Sequence, residues 1–168
     1  MFALVLAGGK GERLRPLTTD RPKPMVPVAG RPILEHHLAW LRENGVTDVV
    51  LLCGYRHEAI ESHFGDGARF GLRVRYSVED EPLGRGGAFR LGSRLVPESE
   101  RVVIGTNGDN MVEQPLAPLL RQHERSGATA TVMLAPLRSP YGVVRLRGSR
   151  IHGIDETPQL PDWETAGE

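Results

Sequence analysis

The chain has 168 residues, 21 basic against 21 acidic side chains, and a single cysteine, Cys53. That length predicts one domain with enough chain for a real core. The charge balance gives no ground to expect nucleic acid or a membrane surface as partner. One cysteine builds no internal disulfide framework, which fits a cytoplasmic location, and no apolar run approaches the ~18 residues of a membrane span.

The first element is a strand, Phe2 to Leu6, continuously apolar as expected for a strand covered on both faces. The stretch from Leu6 to Pro27 then carries Gly8, Gly9 and Gly11, five basic side chains and four prolines, with no helical or strand period. A long patternless loop inside a compact domain is either functional or disordered. Leu14, Leu17, Met25 and Val26 argue for a fixed loop. The only two lysines of the chain, Lys10 and Lys23, both lie in it; the other basic residues are all arginine. A compact, rotatable ammonium serves where the planar arginine fork does not.

Gly30-Arg31-Pro32 opens a helix with proline at its first position. Ile33, Leu34, His37, Leu38 and Leu41 recur at helical spacing, and Asn44-Gly45 closes it. Asp48 to Leu52 is a second buried strand. His57 to Phe64 is a short helix, and Leu72 to Val78 an alternating third strand. Glu79 to Gly84 forms a second loop, leading into a helix with Ala88, Leu91 and Leu95. Arg101 to Gly105 is a fourth strand that runs into Thr106-Asn107-Gly108-Asp109. Pro115 to Ser126 is a helix with Leu116, Leu119, Leu120 and His123 inward. Ala128 to Ala135, Gly142 to Arg147 and Ile151 to Asp155 read as three more strands. The alternating order predicts a three-layer α/β fold with a mostly parallel sheet. In such sheets ligands bind at the carboxyl ends of the strands.

Gly8, Gly9 and Gly11 let backbone N–H groups converge on an anion. Arg13 and Lys23 add charge suited to a polyphosphate. The dinucleotide fingerprint is excluded, because Leu14 stands where a small residue is needed and Arg15-Pro16 where a helix should start. The P-loop motif is absent. Asp109, just after an apolar strand, either caps the following turn or holds a divalent cation such as Mg²⁺. Glu79-Asp80-Glu81, read from the residues alone, fits a solvated acidic loop. His36 and His37 are neighbours about 100° apart on a helix, which fits packing rather than a shared site. Cys53 is a small buried apolar residue.

Leu6-Ala7-Gly8-Gly9-x-Gly11-x-Arg13-Leu14-x-Pro16-Leu17-Thr18, followed by Pro22-Lys23-Pro24-Met25 and Pro27-Val28-x-Gly30-x-Pro32, resembles the sugar-1-phosphate nucleotidyltransferases, and within them the mannose-1-phosphate guanylyltransferase-like branch. Glu79-x-x-Pro82-Leu83-Gly84-x-x-Gly87-Ala88, Asn107-Gly108-Asp109 and Tyr141-Gly142-Val143-Val144 resemble later motifs of that family in the same order. The resemblance implies a Rossmann-like nucleotide-diphospho-sugar transferase fold. It implies a single domain over 1–168, with a nucleotide-binding core over 1–135 and a partial sugar-binding region over 136–168. The implied reaction joins an NTP and a sugar 1-phosphate into an NDP-sugar and pyrophosphate, with GTP and a mannose 1-phosphate-like acceptor favoured.

By resemblance, Arg13 and Lys23 handle the reacting phosphates. Leu6, Ala7, Gly8, Gly9, Gly11, Glu79, Pro82, Gly84 and Asn107 bind the nucleotide. Tyr141, Gly142 and Glu156 meet the sugar, and Asp109 holds Mg²⁺. Two departures stand out. Glu156-Thr157-Pro158 lacks the lysine of the family's Glu-Lys-Pro, and the chain reads as a fold cut short before its second metal-binding aspartate. An enzyme, self-associated or completed by a partner chain, and a non-catalytic nucleotide-binding regulatory homologue are therefore both open.

Overall fold

The structure, a computed structural model, describes residues 1–134 and 143–155. It divides into two compact units, Met1–Leu116 and Ala117–Glu168. The first begins with β1 (Phe2–Leu6), a minimal hairpin of β2 (Pro27–Val28) and β3 (Arg31–Pro32), and α1 (Ile33–Glu43). It continues through β4 (Asp48–Cys53), α2 (His57–Phe64), β5 (Arg73–Val78), α3 (Gly84–Gly92) and β6 (Val103–Asn107). The second contains α4 (Ala117–Ser126) and the strands β7 (Val143–Arg147) and β8 (Arg150–Asp155).

Four strands form one parallel sheet in the order β5-β4-β1-β6. The predicted α/β class with a mostly parallel sheet is what the first unit shows. All six side chains of β4 are buried, because both faces of the sheet are covered. On one face Leu4, Val50 and Leu52 pack against Ala88 and Phe89 of α3. On the other, α1 buries Leu34, Leu38 and Leu41, each contributing roughly 1.5–3 kcal/mol by leaving water. Those three positions repeat at four and three residues, the spacing that keeps one helical face turned inward.

Topology places the ligand end. The chain moves from β1 outward through β4 to β5, then returns to pair β6 on the other side of β1. The crossover connections therefore leave opposite edges of β1. The crevice between the carboxyl ends of β1 and β6 is the topological switch point, where open α/β sheets hold their ligands. Leu6 and Asn107 are register partners there.

Several boundaries differ from the sequence reading. Strand β6 runs over Val103–Asn107, two residues later than Arg101 to Gly105, because its ladder with β1 continues to Leu6. Helix α3 starts at Gly84, which the sequence reading placed in the preceding loop. Pro32 closes the β2–β3 hairpin instead of occupying the first helical position. Helix α4 starts at Ala117 and has no buried residue; Leu119, Leu120 and His123 are only half-buried, and the buried Leu116 precedes it. Residues 128–134 form no strand: their threonine- and valine-rich stretch has strand propensity, but among the described residues nothing pairs with it, and propensity without a ladder does not make a strand. The hairpin β7–β8 is antiparallel, as two adjacent short strands must be.

Candidate active site

The opening loop folds back on itself. Thr18, buried, donates through its hydroxyl to the Gly11 carbonyl at 2.8 Å, and the Lys23 N–H donates to the Gly9 carbonyl at 3.3 Å. Gly11 sits at φ +66°, and a Cβ there would stand 2.7 Å from Lys23 Cβ. Glycine is required on both counts. Closure at Gly11 is what brings Lys23, twelve residues later, beside the start of the loop.

The turn after β6 is held as tightly. The Gly108 N–H donates to the Leu6 carbonyl at 2.8 Å, and a Cβ on Gly108 would stand 2.8 Å from Leu34 Cδ1 and 3.1 Å from Leu6 O. Only glycine lets the chain cross β1 so closely. The crossing aims the next residue, Asp109, back across the crevice, where its carboxylate forms an ion pair with Lys23 Nζ. Both side chains are partly exposed, 34% for Lys23 and 25% for Asp109, so the pair faces an open cleft and is not part of the core.

The cleft has a volume of about 580 Å³. Leu6, Gly8, Gly9, Gly11, Arg13, Lys23, Glu79, Gly84, Asn107 and Asp109 line it, so most of the residues singled out from the sequence share one cavity. Arg13 stands on its exposed side. Ala7 does not line the cleft: it is buried beneath, its N–H donating to the Leu52 carbonyl at 2.8 Å. Pro82 lines a neighbouring cavity of about 630 Å³, which shares Gly8, Lys10 and Glu79 with the first. Tyr141, Gly142 and Glu156 lie outside the described residues.

Glu79 leaves β5 through an N–H bond to the Cys53 carbonyl at 3.0 Å, and its Oε2 accepts from the Leu83 N–H at 3.2 Å. That carboxylate sits at the N-terminus of α3, where the helix dipole favours negative charge. Lys10, Glu12, Pro24, Leu52, Arg85 and Ala88 complete the lining. Leu52 and Ala88 form an apolar wall, and both were legible only as core positions. The side-chain cations Lys10, Arg13, Lys23 and Arg85 stand against three carboxylates, Glu12, Glu79 and Asp109.

His37 packs on the inner face of α1, as its helical spacing predicts, and it also makes hydrogen bonds that the spacing did not show. It is 1% exposed, stacked on Trp40 with ring centroids 5.4 Å apart, and it bonds the Asn110 carbonyl and the Thr106 hydroxyl on either side of the Asp109 turn. Burial pushes its pKa below the ordinary histidine value, while the Asn110 bond and the nearby Asp109 charge pull it upward. Its neighbour His36 turns the other way and bonds the Val28 carbonyl at 2.9 Å, tying the β2–β3 hairpin to α1. Cys53 is buried, and burial pushes its thiol up to about 12, so it offers no nucleophile.

A metal fits this donor set in one way. Among the described residues no cluster of three or more His, Cys, Asp or Glu side chains could hold an ion alone. A lone hard carboxylate such as Asp109, at an open cleft, suits a cation that takes most of its ligands from water and substrate oxygens, which is how Mg²⁺ binds. That carboxylate is paired with the Lys23 ammonium.

A family model described as nucleotidyl transferase matches residues 2–167. The chain belongs to that family. Among its curated relatives, the D-glycero-alpha-D-manno-heptose 1-phosphate guanylyltransferase of Aneurinibacillus thermoaerophilus is 37% identical over 158 residues, covering 93% of this chain and 67% of the relative. A mannose-1-phosphate guanyltransferase of Debaryomyces hansenii is 36% identical over 165 residues, covering 96% of this chain and 44% of the relative. The chain thus spans between under half and two thirds of these relatives' lengths. A crystal structure of a putative glucose-1-phosphate thymidylyltransferase from Bacillus anthracis superposes with a TM-score of 0.74 at 28% identity, covering 96% of this chain and 66% of that one. The HddC protein of Yersinia pseudotuberculosis, solved with GMP-PN, gives 0.65 at 25% identity, covering 94% and 70%. These nucleotidyl transferase relatives share the parallel-sheet fold that puts the cleft at the switch point.

Proposed function

We propose that this chain carries the nucleotide-handling part of a sugar-1-phosphate nucleotidyltransferase, transferring the nucleotidyl group of GTP to a mannose 1-phosphate-like acceptor. The observation that carries the proposal is the meeting of Lys23, from the loop after β1, with Asp109, from the turn after β6, in a glycine-lined cleft at the switch point. The guanylyltransferase names of the curated relatives support the choice of base and acceptor class.

A phosphate oxygen of the sugar 1-phosphate attacks the α-phosphorus of the NTP. The bond from that phosphorus to the bridging oxygen breaks, and pyrophosphate leaves with the electron pair. Two polyanions must be held in line, so the protein's contribution is positioning and charge neutralisation. The backbone from Leu6 to Gly11 cradles the nucleotide. Arg13 grips the β- and γ-phosphates that depart. Lys23, a mobile point charge, follows negative charge as it moves from the nucleophile to the leaving group. Glu79 reads the base: its carboxylate accepts from the N1–H and N2–H₂ edge of guanine. Asp109, with Asn107 beside it, would hold Mg²⁺ together with nucleotide oxygens. The cation supplies neutralisation of the phosphate charge. Tyr141, Gly142 and Glu156 are assigned to the sugar side, Pro82 to the base side, and the reaction to the cytoplasm.

The second reading is a nucleotide-binding homologue without catalysis. It is favoured by Glu156-Thr157-Pro158, where the family's sugar-phosphate lysine is replaced by threonine. Pyrophosphate release from a panel of NTPs and sugar 1-phosphates with Mg²⁺ separates the two. Turnover with GTP and a mannose-type acceptor is expected. Nucleotide binding without turnover under any pairing would establish the second reading instead.

A further inference from the structure

Helix α1 and its C-cap turn His37, Trp40 and Asn44 toward the same neighbour. The three stand at i, i+3 and i+7, one face of a helix. Each bonds the backbone that follows β6. His37 Nδ1 lies 3.1 Å from the Asn110 carbonyl, Trp40 Nε1 donates to the Gln114 carbonyl at 3.1 Å, and Asn44 Oδ1 accepts from the Leu116 N–H at 2.8 Å. The helix that follows the phosphate-handling loop therefore also straps down the segment that carries Asp109.

His37 differs from the other two in what it spans. A carbonyl only accepts, so Nδ1 carries the hydrogen in the bond to Asn110. In the neutral ring Nε2 is then the acceptor, and the Thr106 hydroxyl donates to it at 3.2 Å. The ring thus grips the chain three residues before Asp109 and one residue after it. It is nearly fully buried and stacked on Trp40, so its own rotamer is fixed. Leucine would fill that space without the cost of burying an imidazole. The two bonds are what a leucine could not supply.

We infer that His37 is a positioning residue, whose ring clasps Thr106 and Asn110 so that the Asp109 carboxylate is held at the geometry the metal–nucleotide complex requires. The inference rests on the metal role proposed above for Asp109. Outer partners that orient a ligating carboxylate typically change metal affinity or activity by about 10–100-fold when lost. The Trp40 and Asn44 bonds lie farther along the segment and contribute to its stability; the Trp40 ring also stacks on His37, a contact that phenylalanine keeps.

The test reads binding and not turnover. The dissociation constant of GTP is measured calorimetrically with Mg²⁺ and again with EDTA, and the ratio of the two reports the cation's contribution. In His37→Leu that ratio is expected to fall about tenfold, while GTP affinity in EDTA stays within about twofold of wild type. His37→Asn places an amide donor near the Nδ1 position and is expected to restore most of the ratio. His37→Gln reaches toward Thr106 but not Asn110 and is expected to behave like leucine, which keeps the comparison decisive should the leucine variant not fold. Trp40→Phe is expected to lower the melting temperature and leave the ratio unchanged, which a merely structural role for the strap would not predict. Asp109→Asn is measured alongside. If it collapses the ratio while His37→Leu and His37→Gln keep it, the positioning role is overturned and the metal reading stands. If Asp109→Asn also leaves the ratio unchanged, the metal reading falls and this inference falls with it.

Discussion

The parallel sheet carries an acid–base pair at each end, and the two pairs are built differently. At the amino ends, Asp48 and Arg73 are register partners that open β4 and β5. Arg73 donates from Nε to Asp48 Oδ1 at 2.7 Å and from Nη2 to Oδ2 at 2.5 Å, and the Thr47 hydroxyl adds a third bond at 2.7 Å. Asp48 is buried, and the Arg73 guanidinium holds its carboxyl below the usual carboxylate range. At the carboxyl ends, Asp109 meets Lys23 across the crevice between β1 and β6. A forked guanidinium satisfies both carboxylate oxygens and fixes them; an ammonium on a four-carbon stem is a point charge that can move. The first pair closes a ladder between neighbouring strands. The second spans an open cleft between strand ends. The sheet thus has a rigid, buried carboxylate at its amino ends and a partly exposed one at its carboxyl ends, where the proposed function puts the phosphates.

Breaking each pair sharpens that contrast. The largest effect is expected at the cleft: Lys23→Met is predicted to lower the rate of pyrophosphate release ~10²–10³-fold, the scale of losing one charge-stabilising group from a transition state. Its melting temperature should stay close to wild type, because both partners are partly exposed. Thermal denaturation run beside the kinetics checks both halves of the prediction.

At the other end the balance reverses. Asp48→Asn is predicted to lower the melting temperature and leave the rate at 25 °C unchanged. The pH dependence has a definite sign. A carboxylate whose folded pKa is depressed contributes stability above its unfolded value of about 3.9, and that contribution is lost as the pH falls through the folded value. The gap in melting temperature between wild type and Asp48→Asn should therefore be full at pH 7 and narrow below about pH 4. A gap that widens in acid would contradict the role given to the Arg73 bond.

Smaller effects test the walls of the cleft. Glu79→Gln is predicted to reduce the preference for GTP over UTP by about tenfold or less, the worth of about one hydrogen bond, as read by competition between the two nucleotides. The smallest effect is chemical. Cys53 is buried with its thiol pushed up to about 12, so a thiol reagent should label it only after the protein unfolds. Labelling of the native protein at a comparable rate would contradict the packing of β4.

What the sequence showed, and what it hid, follows the range of the interactions. Strand β1 and helix α2 have the bounds expected from their apolar patterns, since each is decided by neighbours within a few residues. The glycine-rich loop was legible because its constraints are local: Gly11 must accept a positive φ, and Lys23 stands out against a background of arginine. The register of β6 was not legible, because it is set by β1, about a hundred residues earlier in the chain. The hydrogen bonds of His37 were hidden for the same reason. The residue was legible as a packing residue on an apolar face, but its partners Thr106 and Asn110 lie 69 and 73 residues away. No spacing rule connects them; only the fold does. The stretch 128–134 was misjudged in the opposite sense, as local propensity was read as a strand that has no ladder among the described residues.

The central claim is that the pair at the carboxyl ends performs the chemistry while the pair at the amino ends performs none. The most direct measurement is the steady-state rate of pyrophosphate release from GTP and mannose 1-phosphate with Mg²⁺, taken side by side for wild type, Asp109→Asn and Asp48→Asn, below all three melting temperatures. The account predicts that Asp48→Asn keeps the wild-type rate and that Asp109→Asn loses ~10²-fold or more. Equal rates for wild type and Asp109→Asn, or an equal loss in both variants, would contradict it.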